Sequence, residues 1–201
     1  LSVITVFLGV PISVTSGYAL ARYRIRYKNL IIAFILMTIV IPVFTTIIPI
    51  YSFFMEHSML DSMFWTSIIF ISAFIPLNIW IVMNYFRELP VDLWESAAIE
   101  GATETQMFLK IALPLAKPIV VTTVLVMFLM SWRQYIIPML LLSSYNKKVL
   151  TMIMSEFMTR DAINYSIIAM LGIVVTIPPM IASIVFRRNL VSGLTAGSVK
   201  D

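Results

Sequence analysis

Residues 64–86 read FWTSIIFISAFIPLNIWIVMNYF, an unbroken run without a charged side chain. Crossing about 30 Å of hydrocarbon takes roughly 20 helical residues. A strand of a membrane barrel would need only about 9–11 residues and would alternate apolar with polar positions. This run does neither, so it predicts a transmembrane helix. Working outward, four more stretches qualify: about 1–21, 30–54, 118–142 and 163–186. The reading is an all-α, polytopic membrane protein with about five spans in a single transmembrane domain.

Composition agrees with the run-by-run reading. The chain is 60% hydrophobic and 12% charged, with a mean hydropathy of +0.97. Soluble domains carry about 25% charged residues, so the solvent of this surface is lipid. The absence of cysteine removes disulfides and thiolate metal sites. The first residues are apolar, with neither a basic leader region nor a small-residue cleavage site, which argues against a signal peptide.

Orientation follows from lysine and arginine. Arg22, Arg24, Arg26 and Lys28 share one side with Arg87, Lys110, Lys117, Arg187, Arg188 and Lys200, whereas Lys147, Lys148 and Arg160 lie on the other. The first group belongs in the cytoplasm, which places the C-terminal tail, 187–201, inside. Basic residues that flank apolar runs in this way do not point to nucleic acid. Trp65, Tyr145 and Tyr165 suit an interfacial belt on the outer side.

The long inner connection, 87–117, predicts two short helices. Pro90 suits a first turn, and Asp92 and Glu95 sit where the helix dipole favours anions. Gly101 stops the first helix, and Thr103 with Gln106 makes a capping-box pattern for the second. Around the break, Ser96, Ala97, Ala98, Gly101 and Ala102 are small and are flanked by Glu95 and Glu100. Two readings compete, an amphipathic helix on the lipid surface and a protein-docking surface. Five acids (Glu88, Asp92, Glu95, Glu100, Glu104) suit an anionic leaflet badly and favour docking.

Glu95-Ser96-Ala97-Ala98-Ile99-Glu100-Gly101-Ala102, followed by Ile111-Ala112-Leu113-Pro114, resembles the EAA signature of bacterial ABC-importer permeases, roughly E-A-A-x-x-x-G with a later L-P. Tyr18-Ala19-Leu20-Ala21-Arg22-Tyr23 and the ending Gly193-Leu194-Thr195-Ala196-Gly197-Ser198-Val199-Lys200 resemble the carbohydrate branch, the maltose-transport type. Ser96 replaces an alanine of the pattern and Glu100 its usual aspartate. In the fourth span the family often has Trp-Asn-Glu or Trp-Asn-Asp, where this chain has Trp132-Arg133-Gln134-Tyr135.

The resemblance implies a permease of a bacterial or archaeal cytoplasmic membrane, with six spans, one of them preceding Leu1. It implies a second permease subunit, two ATPase subunits and an extracytoplasmic solute-binding protein as partners, and a sugar or oligosaccharide as cargo. Glu95, Ser96, Ala97, Ala98, Glu100, Gly101 and Ala102 would form the ATPase-coupling surface. ATP and magnesium would be held by the partner ATPase subunits, because none of the six glycines here is followed by lysine and no phosphate-binding loop can form. By the same resemblance the outer segment Ser143–Ala162 meets the solute-binding protein. The polar tail either reaches the ATPase or is a frayed end.

Arg133 is the one ionisable residue well inside a span. A central arginine costs roughly 2.5–3.5 kcal/mol on insertion scales, so it needs a cavity, a partner or a route to the interface. Trp132, Arg133, Gln134 and Tyr135 are the candidates for pore or ligand contact; pairing with another subunit and snorkelling remain as alternatives for Arg133. His57, beside Glu56 and Asp61, lacks the further ligands a metal site requires. A membrane enzyme would need clustered acids, histidines or serine–lysine pairs within the spans. A channel or ion-driven carrier would typically carry intramembrane Asp or Glu and would have no use for a docking loop.

Overall fold

The structure is a computed structural model and describes residues 1–158 and 165–195. Among these the regular elements are helices: α1 (Ser2–Arg22), α2 (Lys28–Val40), α3 (Val43–Glu56), α4 (Met63–Glu88), α5 (Asp92–Ile99), α6 (Glu104–Gln106), α7 (Leu113–Leu115), α8 (Lys117–Trp132), α9 (Ile136–Leu141), α10 (Leu150–Met158) and α11 (Tyr165–Thr195). A π-turn, Met107–Ala112, joins α6 to α7. Helices α1, α4 and the Tyr165–Arg187 part of α11 are each long and apolar enough to cross a bilayer.

Two of the expected spans are broken rather than continuous. The run 30–54 divides into α2 and α3, bent by 93°. Its cause is Pro42, which pushes the preceding residue out of the helical region; Ile41 has φ −67° and ψ 119°. The run 118–142 divides into α8 and α9 around Arg133–Tyr135. Pro138 cannot donate to the Gln134 carbonyl, four residues back, and its ring would crowd that oxygen in a regular helix. Thr151 takes up the freed carbonyl through its hydroxyl at 2.8 Å.

Packing centres on the α1–α4 pair, with α8 against it and α11 against α8. Gly9, Ser13 and Gly17 recur every fourth residue on the buried face of α1. This is the small-residue pattern that lets membrane helices approach closely. At Gly17 a β-carbon would stand 2.6 Å from Val82 Cγ1 and 3.0 Å from the Met83 backbone nitrogen, so no larger residue fits the crossing unchanged. Buried hydroxyls are satisfied within their own helices: Ser13 donates to Gly9, Ser67 to Met63 and Thr123 to Ile119, all within 2.8 Å.

The bundle has two distinct ends. At one, Arg22, Glu88, α5 to α7 and Lys117 come together; Tyr85 Oη donates to the Leu115 carbonyl at 2.7 Å, and Lys28 Nζ caps the last carbonyls of α1. At the other, Asp61 joins the α3–α4 turn to the segment after α9. Its carboxylate accepts from Ser143 N at 3.1 Å, Ser144 N at 3.0 Å, Ser144 Oγ and Lys147 Nζ, and its own N–H bonds Leu141 O at 2.7 Å. Asp61 has a positive φ of 59°. Large apolar residues on α2 and α11, among them Phe34, Met37, Ile173 and Ile184, face outward from this chain, a surface suited to lipid or to another helix.

Candidate coupling elbow and translocation cavity

The elbow is built by local rules. The N–H groups of Leu93 and Trp94 bond back to the Pro90 and Val91 carbonyls, so Pro90 lies just ahead of α5 rather than in its first turn. Helix α5 ends in a Schellman motif: Gly101 N–H reaches Ala98 O at 3.1 Å and Ala102 N–H reaches Ala97 O at 3.0 Å, with Gly101 at φ 78°. Thr103 and Gln106 then form the reciprocal capping box, with bonds of 3.3 and 2.9 Å. Pro114, without an N–H, follows the π-turn, whose wider winding keeps a proline ring compatible with a helical path.

This local geometry sorts the sequence candidates. Glu95, Ser96, Ala98, Glu100 and Gly101 are exposed; Ala97 is buried and Ala102 half-buried. Ala97 thus packs inward as part of the elbow's own support. Sequence reasoning missed the apolar part of the surface: Ile99 is 87% exposed, and Val91 and Leu93 are exposed beside it. A polar-to-apolar step at the helix end, where the i, i+4 pattern offers Ile99 no inward partner, was the available signal.

The two helix breaks border one cavity of about 410 Å³. Thr38, Ile41 and Thr46 line it from the α2–α3 break, Ile69, Ser72 and Phe74 from α4, and Met130, Arg133, Gln134 and Ile137 from the α8–α9 break. The hydroxyls of Thr38 and Ser72 donate to carbonyls of their own helices, leaving Arg133 and Gln134 as the nitrogen donors on its wall. Irregular backbone at membrane depth is tolerated where it lines a cavity, and such discontinuities are a common construction for solute sites.

The four candidates of the fourth span separate here. Arg133 is exposed and, with Gln134, lines the cavity. Trp132 turns elsewhere, its indole N–H donating to Val175 O at 3.0 Å. That carbonyl is the one Pro179 leaves without its helical N–H. Tyr135 pairs its hydroxyl with Ser155 Oγ of α10 at 2.8 Å.

His57 stacks on Phe53 at 4.2 Å, with Nδ1 2.9 Å from the Phe53 carbonyl. No group of three or more His, Asp and Glu suited to a metal ion occurs among the described residues. The outer segment expected at 143–162 contains a 3-10 turn, Tyr145–Lys147, and α10; residues 159–162 and the tail residues 196–201 lie outside the described residues.

Residues 9–195 match the family described as the binding-protein-dependent transport system inner membrane component. A probable ABC transporter permease of Pyrococcus horikoshii is 30% identical over 95% of this chain and 70% of its own length. The arabinooligosaccharides transport system permease protein AraQ of Halalkalibacterium halodurans is 28% identical over all of this chain and 71% of its own length. The trehalose transport system permease protein SugB of Mycobacterium tuberculosis is 29% identical over all of this chain and 74% of its own. In fold, the chain resembles a bacterial ABC transporter involved in the import of the acidic polysaccharide alginate, with a TM-score of 0.69, 23% identity, and coverage of 99% of this chain and 71% of that one. The chain belongs to the binding-protein-dependent transport system inner membrane component family.

Proposed function

We propose that this multi-pass membrane subunit forms, with a second permease, the pathway of an ATP-driven importer for a sugar or oligosaccharide. Two ATPase subunits dock beneath the elbow at Glu95–Gly101 and a solute-binding protein delivers cargo at the Asp61 end. The observation that carries the reading is the elbow itself: a short, rigidly capped helix presents Glu95, Ser96, Ala98, Glu100 and the bare Ile99 side chain outward at the end of the bundle where basic residues gather. Carbohydrate-transport permeases among the relatives support the cargo class. In this reading the elbow and the C-terminal tail are cytoplasmic, and ATP is hydrolysed by the partners, not by this chain. Arg133 and Gln134 offer N–H donors to sugar hydroxyls in the cavity. The resulting cycle is alternating access driven by rigid-body motion of the docked elbow.

The test is purification of the tagged chain from membranes of its own host, followed by reconstitution. An ATPase subunit co-purifies, and vesicles accumulate a labelled sugar or oligosaccharide only with ATP and the solute-binding protein. Uptake driven by an ion gradient, without an ATPase in the preparation, would assign the chain instead to the channel or secondary-carrier class.

A further inference from the structure

Helix α5 is joined to its neighbours by extended or left-handed joints: Leu89 at ψ 135°, Gly101 at φ 78° and Thr103 at ψ 159°. The Gly101 and Thr103 joints are held by the Schellman motif and the capping box, and no step of the chain leads directly from α5 to α1. Side chains make that link. Two residues of α5 are buried, Trp94 and Ala97. Trp94, 5% exposed, stacks edge-on to Tyr18 of α1 at 5.8 Å and lies beneath the Arg22 guanidinium at 5.5 Å. Arg22 Nε is buried and has no hydrogen-bond partner among the described residues, and the guanidinium rests against the ring face.

The second half of the elbow converges on the same place. Phe108 packs on Tyr18 at 4.9 Å, and Tyr23 Oη donates to Glu104 Oε2 at 2.9 Å. Phe86 of α4 closes the cluster at 5.3 Å from Tyr18. Tyr18 adjoins Gly17, where α1 packs directly on Val82 and Met83 of α4. We propose that Trp94, held between Tyr18 and Arg22, and the Tyr23–Glu104 bond are positioning contacts that fasten the elbow to α1, so that α1 receives the elbow's motion and passes it to α4. This rests on the coupling role proposed above for the elbow.

The experiment uses the assembled transporter in vesicles, with Ser96→Cys as the one thiol of this chain, which has no native cysteine. A thiol-to-amine reagent reports whether the elbow sits against the ATPase, while uptake and ATP hydrolysis are measured together. Trp94→Ala keeps the cross-link, and solute transported per ATP falls about three- to thirty-fold. Trp94→Phe recovers most of the loss, because a ring remains between Tyr18 and Arg22. Tyr23→Phe, which removes one hydrogen bond and keeps the ring, lowers the same ratio by about twofold. Retained cross-linking with an unchanged ratio in both Trp94→Ala and Tyr23→Phe overturns the proposal, as does a proportional fall of uptake and hydrolysis, the mark of a merely structural role. Failure of Ser96→Cys to cross-link in an otherwise unaltered, actively transporting complex rejects the elbow as the docking site and this proposal with it.

Discussion

Single residues here do jobs that their chemistry explains and their names do not. Asp61 is the clearest case: one carboxylate gathers two backbone N–H groups, a hydroxyl and an ammonium from a segment more than eighty residues away. The Ser144 hydroxyl and N–H, then Lys147, hold its acid well below the usual carboxylate range. A folded-state value below the unfolded one means the clamp contributes fully above the unfolded value of about 3.9 and is lost as pH falls beneath it. Thermal unfolding in detergent is therefore expected to lose this contribution only below about pH 4. Asp61→Asn should lower Tm at pH 7 and show no difference from the parent at strongly acid pH. An Asp61→Asn protein that melts with the parent throughout would show that the two segments joined at Asp61 are held by something else.

At the scale of elements, the governing event is the proline and the donor that answers it. Pro138 frees the Gln134 carbonyl and Thr151 takes it; Pro179 frees the Val175 carbonyl and Trp132 takes it. Leaving a buried acceptor unsatisfied costs about 1–3 kcal/mol, so Trp132→Phe is expected to destabilise by that amount with solute affinity unchanged. Combining it with Pro179→Ala should remove most of the penalty, since the helical N–H is then restored. Calorimetry of the four proteins of that cycle measures the coupling. Weakened solute binding at unchanged stability would instead return Trp132 to the pathway.

This also explains which parts of the architecture were legible in the sequence. Length and apolarity identified the membrane runs, and Gly101 with Thr103 and Gln106 announced the elbow, because turns and caps depend on residues close in sequence. The breaks at Ile41 and Arg133 were not read, although Pro42 and Pro138 lie within those runs. A membrane helix absorbs some prolines and is divided by others, and which occurs depends on distant donors such as Thr151. For the same reason Trp132 and Tyr135 could not be separated from Arg133 and Gln134: their partners lie 43 and 20 residues away. Ala97 shared a motif with Ser96 and Ala98 but falls on the inward face of α5.

For the whole molecule, the elbow is where an outside force would enter. A β-carbon at Gly101 meets nothing within 4 Å, so the cost of replacing this glycine comes from its left-handed backbone and from whatever must fit against it. Gly101→Trp, and Glu95→Lys through charge reversal, are expected to leave the bundle in the membrane while reducing uptake about tenfold or more, a loss of at least about 1.4 kcal/mol of coupling. Quantitative uptake in vesicles, against the amount of inserted protein, checks this; full transport by Gly101→Trp would rule the elbow out. Beyond that entry point, the glycine crossing of α1 and α4 decides where the molecule yields. With Val82 set directly against the Gly17 backbone, the pair has no cushion of side chains over which to slide. It acts as a single beam, and compliance is left to the joints at Pro42 and Arg133–Tyr135. Those joints are the walls of the cavity, so a lever moved at one end changes the shape of the chamber rather than the beam that carries the load.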